Sequence, residues 1–232
     1  MKVEEIIKKL ESLSNQEAVK GMARYGINPR NNLGVSIYKL RPIAKEIGKD
    51  HDLAIKLWNS DIHDARLLAC FIDDPDMITS EQMDSWAKDF DSWDVCDQAC
   101  TSLFDLNPLA WAKVFDWAER DEEFVKRGAF ALIAGLSVHD KKARDKKFEQ
   151  FFPIIKKHSI DERNYVKKAV NWALRNIGKR NLTLNKKIIK LSENILKIDS
   201  KTSKWIARNA LKELTSIKIQ NRLKGKDLRT LS

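Results

Sequence analysis

A tryptophan four residues before an aspartate, in Trp93-Asp-Val-Cys-Asp97, and a lysine four residues before a tryptophan, in Lys168-Ala-Val-Asn-Trp172, are the residues of this chain best suited to chemistry. On a helix, residues i and i+4 lie one turn apart on one face, so each pair presents an indole beside a charged group. A carboxylate bordered by indole faces can stabilise a cation developing beside it, or orient the water that attacks that cation. Cation–π contacts add about 0.5–2 kcal/mol each. Such a site calls for no metal, no nucleotide cofactor and no nucleophilic lysine. Cys96 and Cys100 also stand at i,i+4, but no second Cys or His pair lies near them at zinc-binding spacing. Together with Cys70 they read as packing cysteines.

A repeat places these residues in register. Val125-Lys-Arg127-Gly-Ala129, Val166-Lys-Lys168-Ala-Val170 and Ile206-Ala-Arg208-Asn-Ala210 align, making Arg127, Lys168 and Arg208 equivalent at separations of 41 and 40 residues. His63-Asp-Ala-Arg66-Leu-Leu-Ala69 fits the same pattern, and Asp97 occupies the position through the match of Ala99 to Ala129. A period near 40 with two helices per unit is the spacing of HEAT-like repeats, whose stacked pairs form a concave surface for an extended partner. Arg66, Asp97, Arg127, Lys168 and Arg208 are expected to form a stripe with one acid among four cations.

The elements that must carry this stripe are helices. The 232 residues are 43% apolar and 33% charged with only 8 Gly and 5 Pro, a balance that favours helices with solvated outer faces over a turn-rich β protein. Asn28-Pro29, Asp74-Pro75 and Asn107-Pro108 punctuate the helical patterns, and Asp161, Thr183 and Ser200 are the expected N-caps. The reading is one all-α domain over residues 1–232, a HEAT-like repeat α-solenoid. Regular helices are expected to end at 214, followed by a basic, partly mobile tail over 217–232.

Charge is unevenly distributed. Residues 141–232 hold 26 Lys and Arg against 8 Asp and Glu, a net of +18, whereas residues 1–140 carry −8. That asymmetry predicts a basic, concave surface for a polyanion such as double-stranded DNA. The N-terminal segment has no uninterrupted apolar core, which excludes a signal peptide or membrane span there. Three cysteines without a paired framework point to a reducing cytoplasm.

A reaction suited to the site is loss of a purine alkylated at N3 or N7. The base is then cationic and leaves readily, and the sugar passes through an oxocarbenium-like state that a carboxylate stabilises. At these residues the chain resembles the AlkD-type HEAT-like repeat alkylpurine DNA glycosylase family, which acts in DNA alkylation repair. The likeness runs from Met22-Ala-Arg-Tyr25 through Ser92-Trp93-Asp-Val-Cys-Asp97 and Arg127 to Lys168-Ala-Val-Asn-Trp172-Ala-Leu-Arg. It implies that Asp97 is the catalytic aspartate, that Trp93 and Trp172 contact the deoxyribose of the lesion, and that Arg127 grips the DNA backbone. Tyr25 is similar to an aromatic residue at the N-terminal end of the cleft, and Arg66, Lys168 and Arg208 are the expected further DNA contacts. The resemblance further implies excision from duplex DNA without base flipping, and no obligate protein partner. The segment from Gly26 to Asp61 departs from the family pattern.

Three alternatives remain open at this level. Asp97 can be an ion-pair partner of a neighbouring Arg with both tryptophans in the core. A catalytically inactive member would bind DNA structures through the basic half alone. A HEAT solenoid can also bind an acidic protein.

Overall fold

A computed structural model describes the backbone of residues 2–230 and the side chains of residues 2–225. The last two residues of the expected basic tail lie outside that range. Fifteen α-helices and two single 3₁₀ turns account for the described elements, and no strand occurs among the described residues. They are α1 (Val3–Ser12), α2 (Gln16–Arg24), α3 (Ile37–Ile47), α4 (His51–Trp58), α5 (His63–Ile72), α6 (Ser80–Lys88), α7 (Trp93–Ser102), α8 (Ala110–Ala118), α9 (Glu123–His139), α10 (Asp145–Glu149), α11 (Phe152–His158), α12 (Asn164–Gly178), α13 (Leu182–Leu196), α14 (Lys201–Leu214) and α15 (Ile217–Thr230). Among the described residues no helix is long and apolar enough to cross a membrane.

The chain divides after Ala110 into two compact units. In the first, α5 packs against α3, α4 and α7, and α1 lies on α4 and α5. α5 is buried at every position from His63 to Cys70, as a helix surrounded by others must be. Trp58 and Trp86 stack with ring centroids 3.9 Å apart, and the Trp58 indole N–H donates to Asp89 at 2.8 Å. In the second unit α12 packs on α9, α13 and α14. Trp111 stacks on Phe151 and meets Phe148 edge-on, which closes the unit around α10 and α11. Gly178, the last residue of α12, packs closely: a Cβ there would lie 2.7 Å from the Leu214 side chain, whose terminal methyls would have to shift.

Three sequence expectations change here. Ser200 caps α14 by accepting from the Ser203 N–H, as expected, but α13 is capped by Asn181 rather than Thr183. Asp161 does not cap α12, which starts three residues later; it holds the Arg163 backbone and guanidinium instead. Beyond Leu214 the chain turns into a further helix, α15, which buries Ile219 and Leu223 against α13 and α14. Its apolar positions stand four apart, enough for one buried stripe but too few to reveal a helix in so basic a segment.

The cysteines behave as packing residues. Cys70, Cys96 and Cys100 are buried and outside any disulfide, and burial pushes the Cys70 and Cys100 thiols well up. No cluster suited to a metal ion occurs among the described residues.

Candidate nucleic-acid interface

In the first unit, α7 is built to present one face. Val95, Cys96, Ala99 and Cys100 are wholly buried, which leaves Trp93, Asp97 and Thr101 on the opposite face, half-buried and one turn apart. The Thr101 hydroxyl donates back to the Asp97 carbonyl at 2.7 Å. The Trp93 indole N–H donates to the Tyr25 carbonyl at 3.0 Å, so the polar edge of the indole is anchored and the ring's orientation is fixed. Tyr25 itself closes α2 and is 78% exposed.

The loop between α2 and α3 is tied to the first turns of α7 and α5. The Asn28 backbone N–H donates to Ser92 Oγ at 2.8 Å, and its amide donates to Asp91 at 2.7 Å. Asp64, buried at the start of α5, accepts from the backbone N–H groups of Leu33 and Val35 at 2.6 and 2.7 Å. Burial pushes the Asp64 carboxyl up despite those bonds. Asn31 and Gly34 sit at positive φ, which lets the loop turn sharply between these anchors. Sequence reading missed Asn28, Asp91 and Ser92 as supports of Trp93; the only local signal was the Asn28-Pro29 turn.

Beneath this face lies a buried ion pair between α5 and α7. His63 Nε2 is 3.0 Å from Asp94 Oδ2, with the His63 side chain 3% exposed. Burial alone would push the imidazole down, but Asp94, with Asp64 and Asp91 behind it, holds it above its ordinary value.

The four cations of the expected stripe divide into two kinds. Arg66 is buried, pairs with Asp61 at 3.0 Å and stands over the Trp58 ring. Arg127 is also buried, and donates to the Tyr165 carbonyl at 2.8 Å. Lys168 and Arg208 are exposed, and Trp172 is half-buried one turn beyond Lys168.

The register also sharpens. Asp97, Arg127 and Lys168 each stand five residues after the N-cap of their helix, at Ser92, Glu122 and Arg163. Arg66 stands four after Ile62, and Arg208 eight after Ser200, one turn deeper than its supposed equivalents. The residue at the fifth position of α14 is Trp205, 42% exposed, with Lys167 Nζ 5.8 Å from its ring centroid. The slip arises because apolar residues recur at i, i+3 and i+4, so a repeat aligned one turn out of place still matches. The N-caps are 30, 30, 41 and 37 residues apart from Ile62 to Ser200, so the period near 40 belongs to the second unit only.

Comparison with known proteins places these features in a context. A profile of the DNA alkylation repair enzyme family matches residues 6–214. A solved structure described as a new family of proteins related to the HEAT-like repeat DNA glycosylases, with affinity for branched DNA structures, superposes with a TM-score of 0.76 at 19% identity, covering 90% of this chain and 93% of that one. The all-helical architecture is therefore a HEAT-like repeat fold. An uncharacterized protein of Listeria monocytogenes is 27% identical over 121 residues, 50% of this chain and 54% of that protein. The chain thus matches about half the length of that curated relative.

Proposed function

The chain belongs to the DNA alkylation repair enzyme family, and we propose that it binds duplex DNA and hydrolyses the N-glycosidic bond of cationic N3- and N7-alkylpurines. The observation that carries this reading is the Trp93/Asp97 face of α7, where a half-buried carboxylate stands one turn from an indole anchored by its own N–H. As the C1′–N bond breaks, its electron pair goes to the base and neutralises the alkylpurine. The positive charge moves to the sugar as an oxocarbenium ion, which the Asp97 carboxylate stabilises while water adds to C1′ and releases a proton. The Trp93 ring, and Trp172 by its likeness to the family pattern, offer faces to the cationic sugar.

The burial pattern supports a division of labour among the cations. Lys168 and Arg208, both exposed, are suited to phosphate contact, as is the aromatic Tyr25 to the groove edge. Arg66, whose guanidinium is committed to Asp61, Trp58 and Asp89, acts by holding the α4–α5 and α6–α7 connections. Arg127 keeps the role of an active-site cation in this reading, its orientation set by the Tyr165 carbonyl.

Incubation with duplex DNA carrying one N7-methylguanine, without added metal, tests the proposal through base release. Wild type is expected to release the base, and Asp97→Asn to lose about 10²–10⁴-fold in rate, the range for removal of a group that acts on the transition state, while retaining DNA affinity. Equal rates in the two proteins would remove Asp97 from this role.

A second reading is favoured by the basic second unit. Residues 111–232 hold 30 Lys and Arg against 14 Asp and Glu, and the structurally similar family with affinity for branched DNA has the same fold. A structure-selective DNA binder would release no base above the spontaneous rate and would bind a four-way junction more tightly than a linear duplex of equal length.

A further inference from the structure

The second unit holds a cavity of about 380 Å³ far along its helices from Arg127 and Lys168. It lies at the C-terminal ends of α9 and α12, where Lys141, Asn176, Lys179, Arg180 and Asn181 meet Arg222 of α15. Arg127 and Ser137, in the last turn of α9, are ten residues apart, about 15 Å along the helix axis. Among the described residues, four cations and two amides line the space and no carboxylate does.

Two plain explanations for so many cations can be tested on the structure. One is that they neutralise the helix ends. Arg180 does serve there: its Nη1 donates to the Ser137 carbonyl at 2.8 Å, its Nη2 to Ala143, and its guanidinium lies 4.0 Å from the Phe148 ring centroid. The α12 end is closed without side-chain cations: the backbone N–H groups of Lys179 and Arg180 bond to the Asn176 and Ile177 carbonyls, and Asn185 bonds to the Gly178 carbonyl. The other explanation is ion pairing. Glu213 takes Lys179 at 3.0 Å and Arg175 at 2.6 Å, Asp145 accepts from Asn181, and Asp140 accepts from the Ala143 N–H. Lys141 and Arg222 have no carboxylate within ion-pair distance among the described residues, and although the Lys141 backbone N–H bonds the last carbonyl of α9, at His139, neither side chain donates to a described helix-end carbonyl. Among the described residues, the charge of these two side chains is not neutralised by an ion pair.

We infer that this cavity is a second phosphate anchor for a nucleic-acid backbone, with Lys141 and Arg222 as its charged contacts and Asn176 and Lys179 as further donors. A guanidinium fork, ammonium groups and an amide converging on one space match the acceptor oxygens of a phosphodiester. Asn181, one of the lining residues, is the N-cap of the fifteen-residue helix α13, whose positive end therefore begins beside the cavity. The polyanion is a nucleic acid because the unit that builds the cavity carries a net +16, and because DNA is the substrate under the proposed function, on which this inference rests in that one respect. The anchor adds affinity and takes no part in bond cleavage.

The test compares wild type, Lys141→Gln/Arg222→Gln, and a control of equal charge change, Lys186→Gln/Lys190→Gln, which removes two exposed lysines of α13 outside the cavity. Affinity for a duplex and a four-way junction is measured by fluorescence anisotropy from 50 to 200 mM salt. Removing one phosphate-neutralising charge is expected to reduce the salt slope by about 0.9, so the cavity variant loses about 1.8 and binds roughly tenfold or more weakly near 0.1 M salt. The control keeps the wild-type slope. Equal losses in both variants would reduce the effect to diffuse charge, and an unchanged slope in the cavity variant would remove the anchor; either result overturns the inference. A third arm titrates inorganic phosphate at constant ionic strength. Phosphate that protects the cavity in the wild type while DNA affinity depends on neither residue would make it a small-anion site and overturn the nucleic-acid reading. Thermal melting verifies that each variant is folded, and the single variants Lys141→Gln and Arg222→Gln replace the double if it is not. Wild type that binds no DNA sinks the proposed function itself, a result distinct from wild type that binds with a cavity variant like the control.

Discussion

Removing the Asp94 carboxylate should destabilise the protein through His63, and by an amount that depends on pH. The pair lies between α5 and α7 at 3.0 Å with both side chains nearly sealed from water, at 3% and 10% exposure. Truncation by Asp94→Ala leaves a buried imidazole without its partner, a loss of about 3–5 kcal/mol. In a chain of this length each kcal/mol moves Tm by about 2–4 °C, so a fall of about 6–20 °C is expected. Asp94→Asn keeps a hydrogen-bond acceptor and loses only the charge, which sets its cost nearer 1–2 kcal/mol. Because His63 is held above its ordinary value of 6.5 in the folded protein, the charge-dependent stabilisation is fully present below about pH 6.5. It is lost as pH rises through the raised folded value. The gap in Tm between wild type and Asp94→Asn should therefore narrow from pH 6 to pH 9, as followed by differential scanning calorimetry. A gap that is constant across that range, or absent at pH 6, would refute the reasoning. The consequence reaches the candidate site, since α7 carries Trp93 and Asp97 on its other face.

Two further substitutions probe the supports of that face. Trp93→Phe keeps the aromatic face but removes the N–H bond to the Tyr25 carbonyl; a stability loss of about 0.5–1.5 kcal/mol in urea unfolding is expected, with a fall in base release larger than that seen for Trp205→Phe. Gly34→Ala should cost more than about 1 kcal/mol and lower Tm measurably: Gly34 sits at φ +73°, and a Cβ there would collide with the Asn15 carbonyl, a backbone atom that cannot step aside.

The sequence by itself determined the helices and their faces. Proline punctuation, the Ser200 cap and the i,i+4 pairing of Trp93 with Asp97 and of Lys168 with Trp172 are local properties, set by backbone geometry within one or two turns. The uneven charge was equally legible, because it is a count along the chain. Tertiary structure alone decided which of the aligned cations face water. Arg66 and Arg127 share with Lys168 a place near the start of their helices, yet both are buried: neighbouring elements bring Asp61 to the first and the Tyr165 carbonyl to the second. The same holds for the repeat register, where Trp205 and not Arg208 stands at the fifth position of α14. Apolar periodicity is nearly unchanged by a slip of one turn, whereas the N-cap, fixed by where the chain leaves the previous helix, is not. Only the packed structure bonds Asn28 to Asp91 and Ser92, or sets Arg222 and Lys141 around one cavity, because those groupings join residues 63 and more positions apart that no local pattern relates.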